Sequence, residues 1–262
     1  MAGPNKSLGQ HWLKDRAVLS QIADYAELRQ DDYVLEVGPG LGTLTSELLR
    51  QAGDVLSVEF DGELARKLPG QFPGKNLTVV NEDILQFDLS QLPAGYKVVA
   101  NVPYYITSKI VQRLLTAKNK PSVAVLLVQK EVAQRMAAAP GDMSLLSLSS
   151  QLFADVSLGE IVPAELFTPP PKVDSQTVIL KAKTEIGLSD EQQKTVFRLA
   201  RIAFAGRRKK LNTSLASGLR IDKSSTSSLL ESAGLSPDMR PQDLSVEDWA
   251  RLANVYSTNL IQ

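Results

Sequence analysis

The 262-residue chain has no cysteine and a single histidine, His11. Without cysteine there are no disulfides, thiolate nucleophiles or cysteine-ligated metals. With a lone histidine, a multi-histidine metal centre and a Ser-His-Asp triad are set aside and no metal is expected; only an all-carboxylate magnesium site stays formally open. Long apolar runs are missing too: nothing approaches the roughly 18 residues that span a bilayer, and the N-terminus carries no apolar signal stretch. The expectation is a cytoplasmic protein with no membrane partner. Excess charge of one sign is also absent, since 29 Lys+Arg balance 29 Asp+Glu. The whole-chain balance therefore argues neither for nor against a polyanionic partner.

The charge is nonetheless unevenly spread. Residues 1–186 hold 18 Lys+Arg against 21 Asp+Glu, and residues 187–262 hold 11 against 8, so the C-terminal part is the basic part. Short β-branched runs at Tyr33–Val37, Val55–Phe60, Leu77–Asn81, Lys97–Asn101 and Val123–Val128 alternate with helical stretches. Such alternation predicts an α/β domain with a mostly parallel sheet. Val156–Val162 and Thr177–Lys181, joined through the Pro-rich Pro163–Pro171, predict an antiparallel edge. After about Lys183 the pattern turns helical, over Asp190–Phe204, Ser224–Ala233 and Val246–Tyr256, with N-cap candidates Ser189, Asp222 and Ser245. The domains expected are 1–186, α/β, and 187–262, all helical.

Val34-Leu35-Glu36-Val37-Gly38-Pro39-Gly40-Leu41-Gly42-Thr43 reads as a buried strand, a tight glycine turn and a helix start. Glycine there lets backbone approach a ligand closely. The spacing is G-x-G-x-G, whereas a dinucleotide fingerprint is G-x-G-x-x-G, so Thr43 weakens that alternative. Glu59 ends the second strand, where a carboxylate can accept from both hydroxyls of a ribose. Asp83 follows the third, where it can accept from an adenine amine. Each acid alone reads as a solvated loop residue; their places at strand ends are what make them candidates, because open parallel sheets bind ligands there.

A fourth strand end carries Asn101-Val102-Pro103-Tyr104. Alone, it is a strand followed by a Pro-initiated turn. Beside the glycine loop it offers a set suited to a planar amine: the Asn101 oxygen and a backbone carbonyl near Val102 or Pro103 as acceptors, with Tyr104 as an aromatic face.

These segments together resemble class I S-adenosylmethionine-dependent methyltransferases, and more closely the KsgA-type ribosomal RNA adenine dimethyltransferases. The resemblance spans almost the whole chain. It includes Asn5–Leu13, Phe167-Thr168-Pro169-Pro170-Pro171-Lys172-Val173-Asp174-Ser175, Phe204–Leu211 and Arg240–Ser245. The chain departs from the pattern at Val102, where Leu is usual, and at Gln10-His11-Trp12-Leu13, where Gln-Asn-Phe-Leu is usual. The resemblance implies a Rossmann-like sheet, S-adenosylmethionine as cofactor and S-adenosylhomocysteine as product. It implies that His11 and Leu13 close over the methionine end, with Gly38, Gly40, Glu59, Asp83 and Asn101 completing the pocket. It also implies dimethylation of the exocyclic amine of adenosines, two adjacent ones, in a loop of small-subunit ribosomal RNA or its precursor particle, by a monomer. Asn101, Pro103 and Tyr104 would then be the catalytic set.

A stacked base is out of reach, so the target must be flipped and restacked. Tyr104 is placed on one face of it and Phe167 on the other, the alternative for Phe167 being a residue packed on the sheet edge. RNA engagement is expected from Lys194–Lys210, with seven basic and no acidic residues, above all Arg201, Arg207, Arg208, Lys209 and Lys210. Lys6, Lys14 and Lys172 extend that surface. Three other readings stand beside this one: a large-subunit methyltransferase of the macrolide-resistance kind, a non-catalytic ribosome-assembly factor, and a nicotinamide oxidoreductase.

Overall fold

The computed structural model describes residues 10–259. Lys6 and residues 5–9 of the N-terminal motif lie outside them. Two compact units are present, one built from the described residues up to Gln134 with Phe153–Lys183, the other from Arg135–Leu152 with the described residues from Thr184 onward. The second unit thus joins the C-terminal part to residues 135–152, a segment that the single cut at 186 assigned to the first.

In chain order the elements are β1 (Trp12–Leu13), α1 (Arg16–Asp24), β2 (Tyr33–Val37), α2 (Thr43–Gln51), β3 (Asp54–Glu59), α3 (Gly62–Lys67), β4 (Leu77–Asn81), β5 (Lys97–Asn101), α4 (Thr107–Thr116) and β6 (Val123–Gln129). Then come α5 (Lys130–Met136), α6 (Leu145–Phe153), β7 (Ala154–Val162), β8 (Phe167–Thr168), β9 (Ser175–Ala182), α7 (Asp190–Ala205), α8 (Leu211–Leu219), α9 (Lys223–Ser232) and α10 (Val246–Asn259). The main sheet has the order β4-β3-β2-β5-β6-β9-β7. Strands β2 to β6 pair in parallel, while β9 runs antiparallel to both β6 and β7. The fold is therefore Rossmann-like, with an antiparallel margin.

Continuous apolar runs make the central strands. Val98, Val99 and Ala100 of β5 and Ala124 to Val128 of β6 are fully buried, as strands covered on both faces require. On one face Leu19 and Ile22 of α1 and Leu44 and Leu48 of α2 form one core with Val99, Val125, Leu127 and Ile179. Helix α1 starts where the Asp15 carboxylate accepts from the Val18 N–H at 3.0 Å, satisfying one donor left over at a helix start.

The helical unit has its own core around Trp249, Leu199, Leu215, Leu230 and Leu252. Leu148 of α6 joins that core, which is why residues 135–152 belong with it. Helix α7 begins with a reciprocal cap in which Ser189 Oγ accepts from the Gln192 N–H and the Gln192 side chain accepts from the Ser189 N–H. Ser245 and Asp248 repeat this at α10. Helix α8 has poor intrinsic propensity, with Asn212, Thr213, Ser214 and Gly218 among its residues, and periodicity alone does not reveal it. It forms because Leu211 and Leu215 are fully buried, and because Gly218 admits α7: a Cβ there would stand 2.1 Å from Ile202 Cγ2.

Replacing Leu148 by Ala is expected to cost about 2–5 kcal/mol, measured as a lower urea midpoint for loss of the helical signal. A change within about 0.5 kcal/mol, the usual effect of a surface site, would mean that α6 is peripheral to the second core.

Candidate active site

The chain leaves β2 and crosses to β3 on one side, then returns to β5 on the other. Ligands bind outside the carboxyl ends of strands at such a reversal. The cavity found there is lined by Gly38, Gly40, Glu59, Asp83, Asn101, Pro103 and Tyr104, together with His11, Trp12 and Leu13 from the N-terminal segment. Gly38 and Gly40 have φ of 67° and 57°, the left-handed region where a side chain is strained. Gly42 is left-handed too, with φ of 79°, but does not line the cavity. A Cβ on it would meet Leu68 Cδ1 at 2.6 Å, so it serves packing at the start of α2.

Glu59 is buried yet held by backbone alone: its Oε2 accepts from the Gly40 N–H at 3.0 Å and its Oε1 from the Asp61 N–H at 2.8 Å. Burial pushes its carboxyl up, and those N–H groups oppose the shift. Asp83 Oδ1 accepts from the Leu85 N–H at 2.9 Å, which orients the carboxylate just past β4.

Asn101 ends β5, and its Nδ2 donates to the His11 carbonyl at 3.3 Å. A carbonyl only accepts, so the bond sets the polarity of the amide and leaves Oδ1 as the outward acceptor. Val102 is buried and its N–H donates to the Leu127 carbonyl at 3.1 Å, so the residue that departs from the family pattern anchors backbone. Tyr104 is held at two points. Its hydroxyl lies 2.5 Å from Ser175 Oγ, and the His11 ring stacks on it at 5.8 Å between centroids, with 20° between planes. His11 Nδ1 in turn donates to the Pro169 carbonyl at 2.8 Å.

Pairing of β1 with β8 sets Trp12 opposite Thr168 and Leu13 opposite Phe167. This corrects the placement of Phe167 against the target base. It is 2 % exposed, packs in the core with Leu13 and does not line the cavity. Its ring packs β8 onto the core shared with α1, α2 and the central strands. Among the basic candidates, Arg201, Arg207, Arg208 and Lys209 are exposed, as are Lys14 and Lys172. Lys210 is exposed but paired with Asp238 at 2.7 Å.

Three features were not singled out from sequence. Glu36, inside β2, is buried and lines the cavity; Thr45 and Ser57 hydroxyls both donate to its Oε2 at 2.7 Å. Its Oε1 and the Trp12 indole N–H are buried polar atoms without a partner among the described residues. An acid inside an apolar strand was the available signal for Glu36. The third is Ser175, fully buried in β9, whose contact with Tyr104 joins positions 71 residues apart. A glycine cradle, an oriented carboxylate at each of two strand ends and unmatched polar atoms in the lining fit an adenosyl cofactor carrying a charged amino-acid tail.

Such a sheet, with this loop and an acid at the end of the next strand, defines a class I methyltransferase. The family model described as "Ribosomal RNA adenine dimethylase" matches residues 2–258. The chain is 42% identical over 258 residues to the "Ribosomal RNA small subunit methyltransferase A" of Dehalococcoides mccartyi, covering 97% of this chain and 89% of that one. It is 39% identical over 256 residues to the Clostridium botulinum protein of the same name, covering 95% and 93%. Among solved structures, a dimethyladenosine transferase from Plasmodium falciparum superposes with a TM-score of 0.83 at 28% identity, covering 95% of this chain and 98% of that one. The 23S rRNA methyltransferase ErmE does so with 0.76 at 32% identity, covering 94% and 99%. The chain belongs to the ribosomal RNA adenine dimethylase family. It is an enzyme, and the class implies S-adenosylmethionine as methyl donor.

Two outcomes follow from this geometry. Burial pushes the Glu36 carboxyl up from 4.5 to about 7, against the two hydroxyl donors. A raised acid binds more protons folded than unfolded, so its contribution to stability is full below about 4.5 and declines as pH rises to about 7. The melting-temperature difference between wild type and Glu36→Gln should change across that window and be flat above it; a difference independent of pH would contradict a buried, raised carboxyl. For Tyr104 and Ser175, Tyr104→Phe and Ser175→Ala should each lower turnover several-fold, and the double variant should fall no further than the worse single one, since both remove one bond.

Proposed function

We propose that this protein transfers two methyl groups to the exocyclic amine of adenosines, two adjacent ones, in a loop of small-subunit ribosomal RNA, giving N(6),N(6)-dimethyladenosine. Relatives named for the small subunit, aligned along nearly their full length, support the choice of RNA. The observation that carries the reading is the Asn101 amide, oriented by the His11 carbonyl so that Oδ1 is left as acceptor beside Tyr104.

When bound, S-adenosylmethionine supplies an electrophilic methyl on a sulfonium and leaves as S-adenosylhomocysteine. Glu59 would accept from the ribose hydroxyls and Asp83 from the adenine amine of that cofactor. The Gly38 and Gly40 backbone would lie against it, and His11 and Leu13 would close its methionine end. On the substrate side, Asn101 Oδ1 takes one amine hydrogen. The Pro103 carbonyl already accepts from the Ile106 N–H and the Thr107 hydroxyl at 3.3 Å each, so the Val102 carbonyl takes the other. Held this way, the amine nitrogen directs its lone pair at the methyl carbon, and its proton leaves to solvent. Orientation of this kind supplies up to about 7–11 kcal/mol of a barrier. His11 covers one face of Tyr104, so the extruded base stacks on the other, worth about 1–3 kcal/mol against an unstacking cost of similar size.

The exposed Arg201, Arg207, Arg208 and Lys209 bind phosphates without reading sequence, with Lys14 and Lys172 on the catalytic unit adding to them. Lys210 contributes once released from Asp238. Domain 187–262, with residues 135–152, is the RNA-binding unit, and the protein acts as a cytoplasmic monomer. No helix among the described residues is long and apolar enough to cross a membrane.

The test is incubation with labelled S-adenosylmethionine and unmodified small- or large-subunit particles, followed by nucleoside analysis. Dimethyladenosine should appear in small-subunit RNA, and Asn101→Ala should lose on the order of 100-fold in turnover, as removal of one oriented polar group does in other active sites, while still binding RNA. Label confined to large-subunit RNA, or an unimpaired Asn101→Ala, would overturn the reading.

A further inference from the structure

Exposed apolar side chains are ordinary when scattered singly. Here the two most exposed large hydrophobic side chains among the described residues, Tyr105 at 62 % and Phe60 at 61 %, both line the same cavity, and the next, Val173, is at 46 %. Phe60 follows Glu59 and so belongs to the end of the cavity where the ribose-binding carboxylate sits. Tyr105 follows Tyr104 and belongs to the end where the substrate amine is held.

The two tyrosines occupy consecutive positions of one short turn, Tyr104–Ile106, yet their side chains are in opposite states. Tyr104 has its hydroxyl on Ser175 and one ring face under His11. Tyr105 has no hydrogen bond or ring contact among the described residues, although the backbone beneath it is fixed by the Ile106 N–H to the Pro103 carbonyl at 3.3 Å. An aromatic ring on a rigid turn, open to solvent at the mouth of a base-binding cavity, is a stacking platform. Lys109, exposed and one turn further along α4, supplies a cation for the phosphate that such a nucleotide carries.

We propose that Tyr105 is a binding site for the nucleobase next to the target adenosine. The inference rests on the function proposed above. Extruding one base into the cavity removes the stacking partner of its neighbour, and Tyr105 replaces that partner at the lip. A chain entering with two adjacent adenosines would then present one to Tyr104 and keep the other on Tyr105.

The experiment compares wild type, Tyr105→Ala and Tyr105→Phe. Steady-state kinetics on unmodified small-subunit particles should show a KM for RNA raised about 10-fold in Tyr105→Ala, within the range of one lost base–aromatic stack, with kcat and cofactor Kd unchanged. Tyr105→Phe should behave as wild type, because the ring and not the hydroxyl is used. In binding assays with short single-stranded oligoribonucleotides holding one adenosine, replacing either flanking nucleotide in turn by an abasic one should weaken wild type several-fold on one side, and Tyr105→Ala should erase that difference. An unchanged KM in Tyr105→Ala, or an abasic penalty that persists in it, overturns the Tyr105 site while leaving the methylation reading intact. Absence of dimethyladenosine from wild-type reactions overturns that reading, and the Tyr105 site with it.

Discussion

Parallel hydrogen bonding of β2 to both of its neighbours is the constraint on which the site depends. Val37 lies opposite Val58 of β3, and the Gly38 N–H donates to the Val58 carbonyl at 2.9 Å. On the other side Val34 and Leu35 are in register with Lys97 and Val98 of β5. That register brings the glycine turn out of the sheet beside Glu59 on one hand and Asn101 on the other. A slip of one residue would turn every side chain to the opposite face and separate the carboxylate from the amide.

Onto this frame the N-terminal segment is tied by few but directional contacts. The His11 carbonyl orients Asn101, the His11 ring lies on Tyr104, and the Leu13 carbonyl accepts from the Thr43 hydroxyl at 2.9 Å. A short strand pair, β1 with β8, holds the segment in place, with Phe167 buried as its anchor. Tyr104 is therefore an aromatic with one face and its hydroxyl already committed. That suits the proposed role of receiving a base in one orientation. Tyr105, one residue on, keeps its ring open to solvent.

Polar groups are buried in this cavity at a cost that folding alone does not recover. Glu36 has a raised pKa, and among the described residues one of its oxygens and the Trp12 indole N–H have no partner. Buried polar atoms without partners are costly, and a bound ligand with polar groups of its own would offset that cost for the two that line the cavity. The central strands beneath the cavity are apolar and continuously buried, with Val98 to Ala100 and Ala124 to Val128 fully enclosed.

The alternation of strands and helices, the glycine turn, the acids at strand ends and the caps at Ser189, Asp222 and Ser245 can all be read along the chain. Each of these rests on local chemistry: periodicity, left-handed backbone, or a side chain reaching a nearby N–H. The burial of Phe167, the contact of Ser175 with Tyr104 across 71 residues, the stack of His11 on Tyr104 and the membership of residues 135–152 in the helical unit emerge only once the chain has folded. Helix α8 also escaped periodicity, because Gly218 lowers propensity while permitting the approach of α7. These depend on which faces meet after the chain has returned on itself, and a one-dimensional pattern does not encode which of several apolar or aromatic residues wins a place in the core and which is left facing the cavity.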